Sequence, residues 1–497
     1  GTTMKKTDLY DVADPIDIER YAKELIGKTF KQVLEENYTD NEIVFEEKVE
    51  YYTNPRGKGS LGNLIEKYYF GYEPNSSPEP DFPEAGVELK VTPYEALKKK
   101  GKFKAGERLV VSMIPNDKEV EDEFSSSHLI RKLNLILLVL YLRKKGEKRV
   151  DFKIDYAKLF SVTGNACKED LLIIESDYNK IVSKIKQGKA HELSEGDTVY
   201  LGACTKGATA EKSLKPQFYN AEIPAKRRAF CLKQGYMTYL INTYILGDID
   251  TYDKIIKQTE DMQELNFESY VLERINKFVG WNEQELEELF GIKNKKSAKS
   301  HYSQLAFAML GIKSNNAEEF VKANIVVKTI RLTEKNKLEE SMSFPTINFK
   351  EFAEEEWEDS TAYNYFSETK FLFVIFKNTE KGYIFKGAQF WNMPVADLET
   401  IAKEEWLDAQ RVIKEGVKFK VEPKQIKNNL LKAKKTKIFH LRPHSGGSVY
   451  VINGEKYGNG IIGKHTDVLP NGDIMTKQSF WLNKKYLLNI IDDKFKK

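Results

Sequence analysis

The chain is poor in cysteine and histidine. Among 497 residues it has three cysteines, Cys167, Cys204 and Cys231, and six histidines. The cysteines are widely spaced and have no histidine at a metal-ligand spacing, so the sequence indicates neither a disulfide framework nor a zinc site. Unpaired, reduced thiols are typical of a cytoplasmic protein, and we expect that location here.

The sequence also lacks a strong net charge and a long apolar run. Its 78 Lys and Arg against 75 Asp and Glu give a formal charge of +3. Overall charge therefore does not predict a nucleic-acid partner, and only local basic clusters can. The longest apolar run, at 133–142, is too short to span a bilayer and predicts a buried strand, or the end of a helix leading into one. We expect no membrane partner.

The second half of the chain repeats motifs of the first half in the same order. "KSHYSQLAFAMLG" from Lys299 resembles "KGSLGNLIEKYYFG" from Lys58, and "ANIVVKTI" at 323–330 resembles "AGVELKVT" at 85–92. Two further pairs follow in the same order, namely the segments that end at Gly188 and Gly416 and those around Lys233 and Lys477. Ordered matches at similar spacing predict two copies of one α/β fold of roughly 200 residues.

These matches give a predicted domain organisation. We place the first copy at 4–262, a linker at 263–298 and the second copy at 299–497. The linker assignment depends on the charged composition of this segment and on "GIKNKKSAKS", which are typical of a domain junction. The linker has room for a short helix of its own.

The stretch "DFPEAGVELK", residues 81–90, carries the chemistry that the sequence predicts. If Leu89 faces inward on a strand, the period of two turns Glu88 and Lys90 together onto the other face. That pattern indicates either a solvated strand face or a metal site. As a site, Asp81 and Glu88 offer the hard oxygen ligands that Mg²⁺ prefers, and Lys90 can orient or deprotonate a water that attacks a phosphodiester.

The second copy helps to decide between a solvated strand face and a metal site. In the sequence comparison Glu88 is matched by Val326, and Asp81 falls opposite Glu319. A strand that needed an acid for its structure would not readily accept valine at the same position. The acid is therefore predicted to be functional in the first copy, and the second copy is predicted to hold no metal.

Several segments together resemble a known family. "SLGNLIE", "PDFPEAGVELK", "SSHLIRKL" and "AFCLKQGYMT" resemble the MutH family of GATC-directed endonucleases. The tandem arrangement is similar to that of type II restriction enzymes of the Sau type, in which an active amino-terminal copy precedes an inactive one. The resemblance implies a PD-(D/E)xK nuclease fold, Mg²⁺ as cofactor and double-stranded DNA containing GATC as substrate. It also implies a cognate DNA methyltransferase as functional partner, and a monomer or a DNA-induced dimer.

The resemblance assigns roles to individual residues of the predicted active site. Asp81 and Glu88 match the acids that bind metal, and Lys90 matches the catalytic lysine. Glu66 matches an acid on the preceding helix. Lys132 in "HLIRKL" matches a second active-site lysine.

The resemblance also implies contacts with DNA. Lys233 in "CLKQG" matches a lysine that reads a base, and a lysine can donate to O6 and N7 of guanine in the major groove. A basic helix start is also commonly a solvated face. Retention of the same Lys-Gln pair in the second copy predicts a second DNA-binding domain. The further predicted DNA contacts are Lys58, Lys206, Arg227, Arg228, Gln234, Arg442 and Lys477.

We therefore expect a type II restriction endonuclease that hydrolyses both strands at unmodified GATC. One alternative is a mismatch-repair nickase of the same superfamily, against which the tandem second copy speaks. The other is a DNA-binding regulator without activity, against which the intact Asp81, Glu88 and Lys90 speak.

Overall fold

The computed structural model describes most of the chain. The described residues are 5–37, 41–54, 59–75, 77–99, 101–166, 168–205, 214–247, 252–262, 266–293, 298–444 and 446–497. The chain divides into two compact units: the first is Gly1–Phe267 with Asn316–Asn324, and the second is Glu268–Asn315 with Ile325–Lys497. In the described parts of both units, every helix is too short or too polar to cross a bilayer.

Helices form in both units. In chain order they are α1 (Pro15–Lys23), α2 (Phe30–Asn37), α3 (Glu42–Thr53), α4 (Leu61–Leu64), α5 (His128–Leu133), α6 (Val162–Asn165), α7 (Lys168–Lys186), α8 (Gln234–Leu240), α9 (Phe267–Asn276), α10 (Glu283–Phe290), α11 (Ala298–Met309), α12 (Glu318–Ala323), α13 (Phe349–Glu354), α14 (Thr361–Glu368), α15 (Val395–Glu399), α16 (Ile401–Glu415) and α17 (Lys484–Ile490).

Strands also form in both units. In chain order they are β1 (Glu88–Ala96), β2 (Phe103–Ala105), β3 (Leu109–Ile114), β4 (Ile136–Leu142), β5 (Lys153–Phe160), β6 (Leu201–Thr205), β7 (Lys215–Gln217), β8 (Asn220–Ala225), β9 (Arg228–Leu232), β10 (Ile325–Leu332), β11 (Met342–Thr346), β12 (Lys370–Thr379), β13 (Gly382–Trp391), β14 (Phe419–Val421), β15 (Ile426–Asn428), β16 (Phe439–Pro443), β17 (Val449–Ile452), β18 (Glu455–Gly458), β19 (Thr466–Val468), β20 (Ile474–Thr476) and β21 (Gln478–Leu482).

The central sheet of the first unit has the strand order β2-β1-β4-β5. Strands β1 and β4 are parallel, and the two outer pairings are antiparallel. The apolar run at 133–142 supplies the end of α5 and then β4, whose residues from Ile136 to Tyr141 are buried. A strand buried on both faces reads as a continuous apolar run, which is why this segment carries no alternation. A second sheet of this unit has the order β3-β9-β6.

The second unit contains sheets with similar pairings. In the sheet β10-β12-β13 the first pair is parallel and the second antiparallel, as in β1-β4-β5. In the sheet β11-β21-β16 both pairings are antiparallel, as in β3-β9-β6. The smaller sheets β14-β15 and β18-β17-β20-β19 complete the second unit.

The predicted linker at 263–298 differs from what the structure shows. Helices α9 and α10 occupy much of it, and from Glu268 onward it belongs to the second unit. Phe385 of β13 accepts the N–H of Gly280 at 2.9 Å and donates to Trp281 at 2.9 Å. The charged composition indicates a domain junction, and composition does not reveal that the backbone of this segment pairs with a strand.

Helix α12 lies in the first unit, although the sequence comparison places it in the second copy. The carboxylate of Glu319 accepts the backbone N–H groups of Ile255 and Ile256 at 2.9 and 2.8 Å. Glu319 is 4% exposed. Glu319 therefore holds a backbone loop, although the alignment of the two halves of the sequence places it opposite Asp81.

A buried ion pair also holds α12 in the first unit. The ammonium of Lys322 lies 3.0 Å from Asp170 and 3.3 Å from Glu318, and Lys322 is 2% exposed. It also lies 4.1 Å from the ring centre of Tyr239. Removing one partner of a buried pair leaves the other charge uncompensated, which makes the pair sensitive to single substitutions.

We predict that Lys322→Met destabilises the protein by about 3–5 kcal/mol, because Asp170 would remain charged and buried. The measurement is the urea midpoint and slope for wild type and variant. The control is Lys254→Met, which removes an exposed lysine 3.7 Å from Glu318 and should cost less than about 1 kcal/mol. Equal effects of the two variants would contradict the ion-pair account.

Candidate active site

The acids and lysines predicted for the active site meet in one cleft of the first unit. The cleft has a volume of about 1140 Å³. Among its lining residues are all five predicted catalytic residues, Glu66, Asp81, Glu88, Lys90 and Lys132. Residues that are up to 66 positions apart in the chain are thus brought together by the fold.

A short loop brings Asp81 next to the start of β1. Phe82 and Val87 exchange backbone hydrogen bonds of 2.9 and 3.2 Å, which close the loop. Gly86 has φ +70° in this loop, a conformation that glycine adopts without steric cost. The closed loop places the carboxylates of Asp81 and Glu88 on the same side of the strand start.

Backbone hydrogen bonds then fix both acids. The carboxylate of Asp81 accepts the N–H of Leu89 at 2.8 Å, and the N–H of Asp81 donates to Oε1 of Glu88 at 3.1 Å. The two carboxyl groups also share a hydrogen bond with each other. Two carboxyl groups in such contact cannot both be charged at low cost without a cation or a proton between them.

Two lysines approach Glu88 from neighbouring elements. The ammonium of Lys90, two residues along β1, lies 3.5 Å from Oε2 of Glu88, and that of Lys132 lies 3.3 Å from the same oxygen. Lys132 is on α5, which begins where the hydroxyl of Ser127 accepts the N–H of Ile130. Because α5 leads directly into β4 and β4 is parallel to β1, the helix end lies beside the start of β1.

Glu66 enters the cleft from an unusual helical turn. Helix α4 continues into a π-helical turn, Ile65–Phe70, which ends at Gly71 with φ +83°. The extra residue in such a turn changes the direction of the side chains, and π-turns are frequent at functional sites. The apolar neighbours of Glu66 in this turn pack into the core of the unit.

The environment shifts the pKa values of all three acids. Burial and the neighbouring Glu88 raise the pKa of Asp81 to about 8. Burial raises the pKa of Glu66 to about 7, although Lys90 opposes this shift. Burial also acts on Glu88, but Lys90, Asp81 and Lys132 together hold its pKa below the usual value. Shifted carboxyl groups clustered in a cleft are characteristic of functional sites.

This donor set fits a divalent cation with a preference for oxygen. The carboxyl groups of Asp81 and Glu88 lie in hydrogen-bond contact, and a divalent cation held by them would neutralise both carboxylates. Oxygen ligands with open cleft space beside them suit Mg²⁺, which retains several waters. The residues present therefore fit the predicted metal.

The predicted DNA-contacting residues of the first unit have different surroundings from one another. Arg227 is exposed and lines the cleft, where it can reach a phosphate. Gln234 donates to the carbonyl of Ala105 at 2.8 Å, so its amide is engaged within the unit. Lys58 and Lys206 lie outside the described residues.

Arg228 does not have the predicted position at the surface. Its side chain is 1% exposed, and its guanidinium donates to the carbonyls of Leu193, Lys226 and His191 at 3.1 to 3.3 Å. A guanidinium with five donors can hold several backbone carbonyls at once. Arg228 therefore stabilises the loop beside β9, and the sequence prediction of a phosphate contact is corrected.

Lys233 is also buried, which differs from the predicted base-reading position. It is 0% exposed, and its ammonium donates to the carbonyls of Thr198 and of Ala323, the latter at 3.3 Å. Gly235, close by, donates its N–H to Asn324 at 2.8 Å. In this conformation the segment at 316–324 covers Lys233, so the lysine does not face a base.

The two predicted DNA contacts of the second unit are more accessible. Arg442 is half-buried and lies 3.9 Å from the ring centre of Trp481. Lys477 is half-buried between β20 and β21. A planar guanidinium stacked on an aromatic ring can still donate from its outer N–H groups to two oxygens of a phosphate.

The sequence prediction missed part of the cleft. Glu107, Arg143 and Arg149 line the same cleft as the predicted catalytic residues. Arg143 donates to Glu95 at 2.9 Å and to the carbonyl of Gly106 at 2.8 Å. These residues are in separate segments without a recognisable motif, and only the pairing of the strands brings them together.

Acids and lysines held at the starts of two parallel strands define a nuclease type of site. The family described as DNA mismatch repair enzyme MutH matches residues 70–177. That range contains Asp81, Glu88, Lys90 and Lys132. The first unit therefore has a MutH-like domain with a PD-(D/E)xK-like nuclease fold.

Similarity to individual proteins extends over most of the chain. The chain is 38% identical over 464 residues to the type II restriction enzyme Sau3AI of Staphylococcus aureus, covering 88% of this chain and 93% of that protein. It is 31% identical over 142 residues to the DNA mismatch repair protein MutH of Serratia proteamaculans (strain 568), covering 28% of this chain and 57% of that protein. The chain belongs to the MutH-like restriction endonuclease family, and the predicted resemblance is confirmed. It is a site-specific deoxyribonuclease.

We predict that the stability of the metal-free protein falls as pH rises from about 4 to about 8. Glu66 and Asp81 have raised pKa values of about 7 and about 8 in the fold, so the folded state holds protons that the unfolded chain releases. Below about pH 4 these carboxyl groups are protonated in both the folded and the unfolded state, so they no longer lower the stability of the folded state. Thermal midpoints with a chelator present, measured across that range, test this.

The control for this prediction is Asp81→Asn, which removes the titrating group and should make the pH dependence less steep. Saturating Mg²⁺ should also reduce the dependence in the wild type, because the cation replaces the proton. An identical slope in the wild type and in Asp81→Asn would show that the cluster does not titrate as described.

Proposed function

We propose that this protein is a type II restriction endonuclease that uses Mg²⁺ to hydrolyse both strands of DNA at unmodified GATC. The proposal rests on the cleft in which the carboxyl groups of Asp81 and Glu88 lie in contact, with the ammonium groups of Lys90 and Lys132 at 3.5 and 3.3 Å from Glu88. The GATC sequence, the cognate methyltransferase and the cytoplasmic location are supported by family resemblance.

In this proposal each catalytic side chain has a separate role. Asp81 and Glu88 would hold the cation, and a cation bound there would supply neutralisation of the charge on the phosphoryl group and on the leaving oxygen. Lys90 orients the attacking water and stabilises the charge that develops. Glu66, with a pKa of about 7, can accept the proton of that water near neutral pH. Lys132 holds the carboxylate of Glu88 in place.

We propose further that the second unit is a copy of the fold without a catalytic site. The matching strand pairings of β10-β12-β13 and β1-β4-β5 support a duplication. Lys328 of β10 corresponds to Lys90, yet among the described residues no carboxylate lies within ion-pair distance of it. Burial lowers the pKa of Lys328 to about 8. One active site in each chain would require two chains, or two successive events, for a double-strand break.

We predict that Glu88→Gln abolishes cleavage of an unmethylated plasmid, with a loss of at least about 10³-fold, because one ligand and the partner of both lysines are removed. The control is Glu84→Gln, an exposed acid in the same loop, which should cleave as wild type does. Sequenced ends should all lie at GATC. Gel-shift binding should persist in Glu88→Gln.

Other results would favour the alternatives. Nicked circles as the final product would indicate a mismatch-repair type of nickase. Binding of DNA with no cleavage under any methylation state would indicate a regulator. Full activity of Glu88→Gln would contradict the assignment of the catalytic site in the first unit.

We predict that Arg442→Ala with Lys477→Ala weakens DNA binding in a salt-dependent manner, because two phosphate or base contacts of the second unit are lost. The slope of log affinity against log salt should decrease by about 1 for each lost phosphate contact. Fluorescence anisotropy with a labelled GATC duplex measures this. Lys335→Ala, an exposed lysine of the same unit, is the control and should leave the slope unchanged. An unchanged slope in the double variant would contradict DNA binding by these residues.

A further inference from the structure

Two of the three cysteines meet in the first unit. Cys204 is on β6 and Cys231 is on β9, and these antiparallel strands pair Gly202 with Cys231 and Cys204 with Ala229. Residues two apart on a strand share a face, so the two thiols are diagonal neighbours on the same face of the sheet. Their exposed fractions are 3% and 0%.

The carboxylate of Glu195 joins these thiols. Its Oε1 accepts a hydrogen bond from the thiol of Cys231 at 3.0 Å. Ligand atoms of Glu195, Cys204 and Cys231 all lie within 4.8 Å of one another. This separation is compatible with one shared cation, because zinc binds sulfur at about 2.3 Å and carboxylate oxygen at about 2.0–2.2 Å.

The second carboxylate oxygen supports a ligand at this place. Glu195 is 3% exposed, and within the described part of the chain its Oε2 has no hydrogen-bond partner. A buried carboxylate oxygen without a partner is costly, so such groups usually bind an ion or another donor. Two sulfurs and one carboxylate oxygen supply three ligand atoms, and the second carboxylate oxygen is available for the fourth position that zinc prefers.

Gly202 provides the space for this carboxylate. A Cβ atom at position 202 would lie 2.6 Å from Cγ of Glu195 and 3.3 Å from its carbonyl oxygen. Any other residue at position 202 would therefore displace Glu195 from the two thiols. The glycine opposite Cys231 thus allows the acid to lie over the sheet.

A disulfide between these cysteines fits the sheet less well. Diagonal neighbours on antiparallel strands have Cα atoms about 7–8 Å apart, with Cβ atoms somewhat closer, whereas a disulfide needs Cβ atoms about 3.5–4.5 Å apart. A metal ion bridges this greater separation without movement of the backbone.

We propose that Glu195, Cys204 and Cys231 form a binding site for a thiophilic divalent cation such as Zn²⁺. Binding forms two metal–sulfur bonds and a metal–carboxylate bond and releases the two thiol protons to solvent. The charge of the cluster is unchanged, because a double positive charge replaces two protons. Arg108, 3.5 Å from Glu195, balances the carboxylate in both states.

The site would stabilise one wall of the cleft. Cys231 follows Phe230, which lines the cleft, and precedes the buried Lys233 by two residues. A cation at this place would join β6, β9 and the turn that contains Glu195. It is separate in chemistry from the cluster of Asp81 and Glu88, which offers oxygen ligands only.

The test is cobalt substitution of the full chain, purified from cells grown with Co²⁺. Thiolate ligands give an intense charge-transfer band in the near ultraviolet, and oxygen or imidazole ligands elsewhere in the chain do not. We expect this band at about one equivalent per chain, and its loss in Cys204→Ser and in Cys231→Ser. Cys167→Ser, which changes the third cysteine, is the matched control and should keep the band.

Two further measurements make the outcome decisive. Glu195→Gln keeps both thiols, and it should keep the band but weaken Co²⁺ affinity at least tenfold. The affinity of the wild type should fall by up to about 100-fold for each unit decrease in pH, since two thiol protons compete. Absence of the band in the folded wild type, or its persistence in Cys231→Ser, would overturn the proposal.

Discussion

The parallel pairing of β1 with β4 is the constraint on which the site depends. It places Glu88 opposite Ile136, so the end of α5 and its Lys132 lie beside the strand that carries Glu88 and Lys90. Because β4 is buried on both faces, this pairing is held by the core of the first unit. The acids and lysines are therefore positioned next to strands of the buried core, as a reaction with a strict geometry requires.

The same arrangement places two carboxyl groups in contact, and the repulsion between their charged forms favours binding of a cation. Asp81 and Glu88 lie in contact in a cleft, and the neighbouring lysines compensate Glu88 more than Asp81. A bound divalent cation would neutralise both carboxylates and remove this repulsion. In the duplication that we propose, Val326 takes the position of Glu88 in the second unit, and burial lowers the pKa of the nearby Lys328.

The sequence predicted those features that are local in the chain or carried by family motifs. The cluster of Asp81, Glu88 and Lys90 spans ten residues, and the apolar run at 133–142 forms the end of α5 and then β4 as expected. It could not predict the burial of Lys233, because that depends on a helix about 90 residues away in the chain. The sequence also did not indicate a metal site at the cysteines. The pairing of β6 with β9, and not a short spacing along the chain, brings Cys204 and Cys231 close to Glu195.

Single-turnover cleavage of a duplex with one GATC would show whether the cluster of Asp81 and Glu88 is a nuclease site. Each strand is labelled separately, and the Mg²⁺ concentration is varied. The account predicts cleavage of both strands at GATC, a rate that saturates with Mg²⁺, and no reaction with a chelator. Cleavage at the same rate in the chelator would contradict it. So would the absence of any cleavage at saturating Mg²⁺, because the cluster of Asp81 and Glu88 would then not be a nuclease site.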